Sequence, residues 1–233
     1  MTRQQTPPVM PGAMEESAMA ERVRSTTPIR AVIFDYGGVI CLHPSAEQIA
    51  EAARVCDVSS EDFVRALWKN RMRYDAGQHP QEYWRETAAL MDRAFDDAMI
   101  EEMIRREIDF WIRCDDRVLA WIDQLRSDGV RTAILSNLPI PLGRRLRGNG
   151  LLKHFDHVTF SCELGCTKPD RRIYEHAIAG LDVAPQQALF IDDRPENVKG
   201  ARETGLHAEL YTTWGEFTPI PARYDLPLLT ADS

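Results

Sequence analysis

Ile29-Arg30-Ala31-Val32-Ile33-Phe34-Asp35-Tyr36-Gly37-Gly38-Val39-Ile40-Cys41-Leu42-His43-Pro44 is the stretch whose reading decides the fold. Ile29 and the run Ala31 to Phe34 predict a buried strand of the parallel type, which is apolar throughout rather than alternating. The run stops on Asp35. A carboxylate at the C-terminal end of such a strand lies where open α/β sheets bind their ligands. Gly37 and Gly38 follow, so the backbone can take positive φ and approach a bound group closely. Read alone, the stretch also suits a strand that ends in an ordinary turn.

Working outward, about seventy residues before Asp115 contain helical patterns only. Ser45 caps a helix reaching Cys56, with Gln48 as its capping-box partner, and Ser59 caps a second helix with Asp62 in the same role. Tyr74 to Pro80 reads as a turn, Pro80 opens a third helix, and Phe95 to Ile112 supplies a fourth. A parallel sheet does not need four helices to cross to its next strand, so residues 45–114 are expected to form an inserted helical cap. Beyond it, helices and strands alternate: a helix from Asp115 to Gly129, a strand Thr132 to Leu135 ending on Ser136, a short basic helix, and a strand Val158 to Phe160. A helix Asp170 to Gly180, a strand Ala188 to Ile191 ending on Asp192, a helix Pro195 to Gly205 and a strand Ala208 to Tyr211 complete it. The alternation predicts an α/β fold with a doubly wound parallel sheet, Rossmann-like, over residues 29–44 and 115–217. Residues 1–28, with Pro7, Pro8, Pro11 and Gly12, read as a disordered lead-in, and residues 218–233 as an irregular tail.

Composition narrows the function. The chain has 233 residues, 44% hydrophobic and 27% charged, with a net charge of −8. That balance argues against nucleic acid as the main partner, because a phosphate backbone is bound by a basic face. No apolar run approaches the ~20 residues that span a membrane. The N-terminus lacks the apolar core of a signal peptide, and Glu15, Glu16 and Glu21 argue against a transit peptide, so a cytoplasmic location is expected. The five cysteines are scattered, and Cys162 and Cys166 have the wrong spacing for a zinc knuckle. Free thiols are expected.

Three more short motifs follow Asp35 in order: Ile134-Leu135-Ser136-Asn137, then Thr167-Lys168-Pro169-Asp170, then Phe190-Ile191-Asp192-Asp193-Arg194-Pro195-Glu196-Asn197. Together with the first strand they resemble the four motifs of the haloacid dehalogenase-like hydrolase superfamily, in its phosphatase branch with an inserted helical cap. The resemblance spans roughly Arg30 to Tyr211. It implies that Asp35 is a nucleophile attacking phosphorus to form an aspartyl phosphate, and that Ser136 donates to the phosphate with Asn137 extending that loop. It implies that Lys168 balances charge. It also implies a Mg2+ ion held by Asp35, the Gly37 carbonyl, and Asp192 or Asp193. The expected activity is metal-dependent hydrolysis of a small phosphorylated metabolite. Independently, two adjacent carboxylates after an apolar strand are costly to hold without a cation.

One departure matters. Most phosphatases of the family carry a second Asp two residues after the nucleophile, and here that position is Gly37. General acid–base help contributes ~10²–10⁴ in rate. Its loss predicts a preference for good leaving groups, or a proton from elsewhere, for which His43 is the candidate. Two other readings stand beside this one. A dehalogenase would use the same Asp on carbon without metal, and a phospholigand-binding module would keep the fold without turnover. Around the cap's central turn, Arg71, Arg73, Tyr74, Gln78, Trp68 and Trp84 are the region expected to meet a substrate tail, although aromatics at helical spacing also serve as core.

Overall fold

The computed structural model describes residues 27–227. The expected lead-in lies outside them except for its last two residues, as do residues 228–233. The core strands are β1 (Ala31–Phe34), β2 (Arg131–Ser136), β3 (His157–Phe160), β4 (Ala188–Asp192) and β5 (His207–Leu210). They form one parallel sheet in the order β3-β2-β1-β4-β5. The chain runs outward from β1 to β3, then returns to lay β4 on the other side of β1. The strand order therefore reverses between β1 and β4, the position at which open α/β sheets form ligand crevices.

Between β1 and the helix that leads into β2 lie five helices: α1 (Ala46–Val55), α2 (Ser60–Lys69), α3 (Arg71–Asp75), α4 (Pro80–Ala89) and α5 (Asp97–Phe110). The Ser45–Gln48 capping box forms in both directions, and the Ser59 side chain accepts from the Asp62 amide. Tyr74 and Asp75, read as the start of a turn, instead end α3. An Arg71–Asp75 ion pair one helical turn apart, 2.8 Å, supports that extra turn. The chain then continues with α6 (Asp116–Ser127), α7 (Ile140–Gly148), α8 (Ser161–Leu164), α9 (Arg171–Leu181), α10 (Pro195–Glu203) and α11 (Trp214–Phe217). The short α8 has no counterpart in the sequence reading.

Side chains of β1 alternate between two cores, as the pleat requires. Ala31 and Ile33 join the cluster formed with α9 and α10. Val32 and Phe34 join the other, where Trp121 of α6 packs edge-on to Phe34 at 5.5 Å. That second cluster continues without a break into Ala52, Phe63, Trp84 and Met103 of the inserted helices. The segments leading into and out of the insert run side by side, with Leu42 N–H donating to Arg113 O and Asp115 N–H to Ile40 O, both at 2.8 Å. The insert is thus fixed directly above the end of β1. After Phe217, where an irregular tail was expected, Pro221–Tyr224 forms a 3-10 turn, and Ile220 and Leu226 are buried. All five cysteines are free.

Candidate active site

Three strand ends meet at the strand-order reversal. Asp35 follows β1, Ser136 ends β2 and Asp192 ends β4. Because β1 pairs in register with both neighbours, Phe34 opposite Ile134 and Ile191, one further step brings Asp35 level with the end of β4. Lys168 enters from the loop before α9 and is 1% exposed. Its Nζ lies 2.8 Å from Asp35 Oδ1 and 2.6 Å from Asp192 Oδ2, and donates to Leu135 O at 3.1 Å. Burial works against the Lys168 charge, but Asp192 and Asp35 outweigh it and raise the pKa, so the ammonium persists.

The two adjacent acids have different surroundings. Asp192 is fully buried and both its oxygens are engaged, by Lys168, the Arg194 amide at 2.8 Å and the Asn197 side chain at 2.9 and 3.1 Å. Asp193 lines the cavity, and among the described residues its carboxylate meets His43 Nε2, at 3.2 Å. Oxygens of Asp35, Asp192 and Asp193 fall within 4.8 Å of one another. Burial pushes the Asp35 carboxyl up to about 7; Lys168 lowers it, and Asp192 and Asp193 raise it further. A cluster of hard carboxylate oxygens is the donor set that Mg2+ takes. The Gly37 carbonyl accepts no backbone hydrogen bond among the described residues, so it too is available.

Every residue singled out in the four motifs is at this place. Ser136 is buried at the cavity floor. Asn137 lines the cavity, but its amide also clasps the backbone of Lys168, accepting from Lys168 N–H at 2.8 Å and donating to Lys168 O at 3.1 Å. His43 reaches the site through Asp193, which raises its pKa against the opposing effect of burial. Gly37 faces Trp111: a Cβ there would lie 3.2 Å from the indole. Gly38 has φ +80°, and a Cβ would overlap the Asp193 carboxylate. Sequence reasoning passed over Trp111 and Asp75, which line the cavity, and gave no role to Asn197, which stands five residues after Asp192 in the first turn of α10. That spacing along a helix start was the available signal. The cavity encloses about 420 Å³.

Of the residues expected to face a substrate, Trp68 and Arg71 line this cavity, and Tyr74 and Trp84 are buried in the core instead. Tyr74 stacks on Tyr83 at 3.8 Å between ring centres.

A doubly wound parallel sheet with an acid cluster and a buried lysine at its reversal point defines a hydrolase-type α/β scaffold. The chain belongs to the haloacid dehalogenase-like hydrolase family, whose model matches residues 29–205. It is 37% identical to a phosphoserine phosphatase of Thermus thermophilus over 91 residues, 38% of this chain and 36% of that protein. The chain likewise spans less than half the length of several further curated relatives. It is 26% identical to (S)-2-haloacid dehalogenase 1 of a Pseudomonas species over 219 residues, covering 87% of this chain and 94% of that one. Among solved structures, a family enzyme of Bacteroides thetaiotaomicron in complex with magnesium and inorganic phosphate shares the fold, with a TM-score of 0.65, 19% identity, and coverage of 81% and 98% of the two chains. No helix among the described residues is long and apolar enough to cross a membrane.

Proposed function

We propose that the protein is a Mg2+-dependent phosphatase that acts on a small phosphorylated metabolite through an aspartyl phosphate. The observation that carries this reading is the convergence of Asp35, Asp192 and Asp193 within 4.8 Å beside the Lys168 ammonium. Asp35, Asp193 and the Gly37 carbonyl would hold the ion, and Asp192 would act by fixing Lys168. Asp193 is assigned the direct role because Asp192 has no free oxygen. When bound, a divalent ion neutralises charge on the phosphate oxygens.

The chain's own groups supply the rest. Lys168 offsets the Asp35 charge and that of the incoming phosphate, and Ser136 donates to a non-bridging oxygen. An Asp35 oxygen bonds to phosphorus while the bond from phosphorus to the leaving oxygen breaks, and that oxygen departs with the electron pair. Water then cleaves the acyl phosphate, releasing inorganic phosphate and regenerating the carboxylate. Gly37 supplies no acid, so substrates whose leaving oxygen needs no proton are favoured. His43, kept protonated toward neutral pH by Asp193, is the proposed proton source for the others. The inserted helices are proposed to serve as the cap that closes over the substrate.

The dehalogenase relative, matched over most of both chains, and the glycine at position 37 favour a second reading, attack on carbon without metal. The acid cluster weighs against it. Phosphate release from acetyl phosphate should depend on Mg2+ and vanish with EDTA or in Asp35→Asn. Chloride release from 2-chloropropionate that persists in EDTA would establish the second reading instead. Beryllofluoride trapped at Asp35 without turnover would mark a binding module.

A further inference from the structure

Much of the cavity lining around the acid cluster is apolar. Trp68, Met72, Trp111, Leu138 and Leu142 form this part. Trp68 is 45% exposed and Met72 52% exposed, both from the inserted helices. A large aromatic and a thioether left open to solvent at the edge of a concave site are surface that a ligand would cover. Elsewhere on the insert the comparable rings are closed off: Phe63, Tyr83 and Trp84 are fully buried.

The charges of the lining point the same way. Arg71, whose position suits contact with a polar substrate tail, has its guanidinium engaged by Asp75 at 2.8 Å and by Glu107, while its face lies 5.3 Å from the Trp68 ring. Arg194 pairs with Glu196 at 2.8 Å, His43 with Asp193, and Lys168 with Asp35 and Asp192. Among the described residues, every cation lining the cavity is thus already matched by an acid. A second anionic group deep in the cavity would have to compete for Arg71 or Lys168 and leave a buried carboxylate unpaired.

The third observation is Trp111 itself. It stands 3.2 Å from where a Cβ at position 37 would lie, and so sets apolar surface where the missing acid would have been, beside the nucleophile. A leaving group with a flat ring can use that surface, and its aryloxide needs no proton donor. Apolar wall and absent acid are separate features, and both suit one substrate class.

We propose that the substrate is the phosphate monoester of an otherwise uncharged aromatic alcohol, its ring seated against Trp68, Met72 and Trp111. The proposal rests on the phosphatase reading. The phosphate enters the acid cluster, Asp35 takes the phosphoryl group, and the aryloxide leaves with the electron pair and is protonated by water.

The full chain with Mg2+ tests it, using acetyl phosphate, phenyl phosphate and 2-naphthyl phosphate. The last two release phenols of similar acidity and differ in ring area. Wild type should favour 2-naphthyl over phenyl phosphate at least tenfold in kcat/KM. Trp68→Ala, and separately Met72→Ser, should cut that ratio severalfold, with circular dichroism confirming that each variant is folded. Equal values for the two aryl esters, or a ratio untouched in both folded variants, would overturn the aromatic assignment while acetyl phosphate turnover left the phosphatase reading standing. No turnover of any of the three would overturn both.

Discussion

Asp35 ionises against resistance. Burial pushes its pKa up from 3.8 to about 7, and although Lys168 opposes the shift, Asp192 and Asp193 reinforce it. Between those values the folded protein keeps a proton that the unfolded chain has released. Folding stability therefore falls as pH rises through that window. In EDTA, the melting temperature of the wild type should drop between roughly pH 4 and pH 7 relative to that of Asp35→Asn, which has nothing to titrate there. Parallel curves for the two proteins would show that the carboxyl ionises freely. Mg2+ should raise the wild-type melting temperature at pH 7 and have a much smaller effect on Asp35→Asn, because a ligand of the folded state stabilises by mass action. Lys168 carries the complementary expectation. Its replacement by Met leaves two buried carboxylates without their shared cation, and removing one partner of a buried pair costs roughly 3–5 kcal/mol. Urea unfolding at pH 7 reads that loss directly, and a change below about 1 kcal/mol would contradict the pairing.

At the next scale the decisive contact is between the loop after β1 and the end of α5. Trp111 follows α5 directly, and its carbonyl accepts from the Tyr36 hydroxyl at 2.6 Å. This holds the indole against Gly37, where a Cβ would lie 3.2 Å from the ring. Gly37→Asp alone should therefore disturb the loop and gain little activity. Combined with Trp111→Ala, which makes room, it should raise hydrolysis of an unactivated alkyl phosphate about 10²-fold, the lower range of general acid–base help. No gain in the double variant would mean that the missing acid is not what limits such substrates. The limits of sequence reading lie at this scale as well. The three central strands were legible because each carries an apolar run that stops on a polar residue: Phe34 before Asp35, Leu135 before Ser136, Ile191 before Asp192. The helix starts were legible from Ser45, Ser59 and Asp170, whose caps act within three residues. Trp111 against Gly37, and Glu107 against Arg71, were not, since the partners are distant in the chain and neither leaves a local pattern. The different surroundings of Asp192 and Asp193 were hidden for the same reason: Lys168, Asn197 and His43 create them, and only the fold assembles those residues there.

Across the whole molecule, the site occupies one end of the sheet, and the C-terminal segment secures a different part. Trp121 of α6 is wedged between Phe34 of the central strand and Phe217, with ring centres 5.5 and 5.3 Å away, and its Nε1 donates to Pro227 O at 3.3 Å. Ile220, Pro221 and Leu226 are buried in the same region. The residues after Phe217 thus complete the core that β1 shares with α6. Truncation after Thr218 exposes two large aliphatic side chains' worth of core, at about 1.5–3 kcal/mol each. It also removes the acceptor of a buried indole N–H, worth a further ~1 kcal/mol or more. The variant should lose about 4–7 kcal/mol in urea unfolding at constant slope. Because no described residue beyond Asn197 lines the cavity, the truncated protein should keep the proposed Mg2+-dependent activity at temperatures where it remains folded. Undiminished stability would show that the segment rests on the surface without supporting it. Loss of activity in the folded variant would show that the central strand transmits the change in its packing to Asp35.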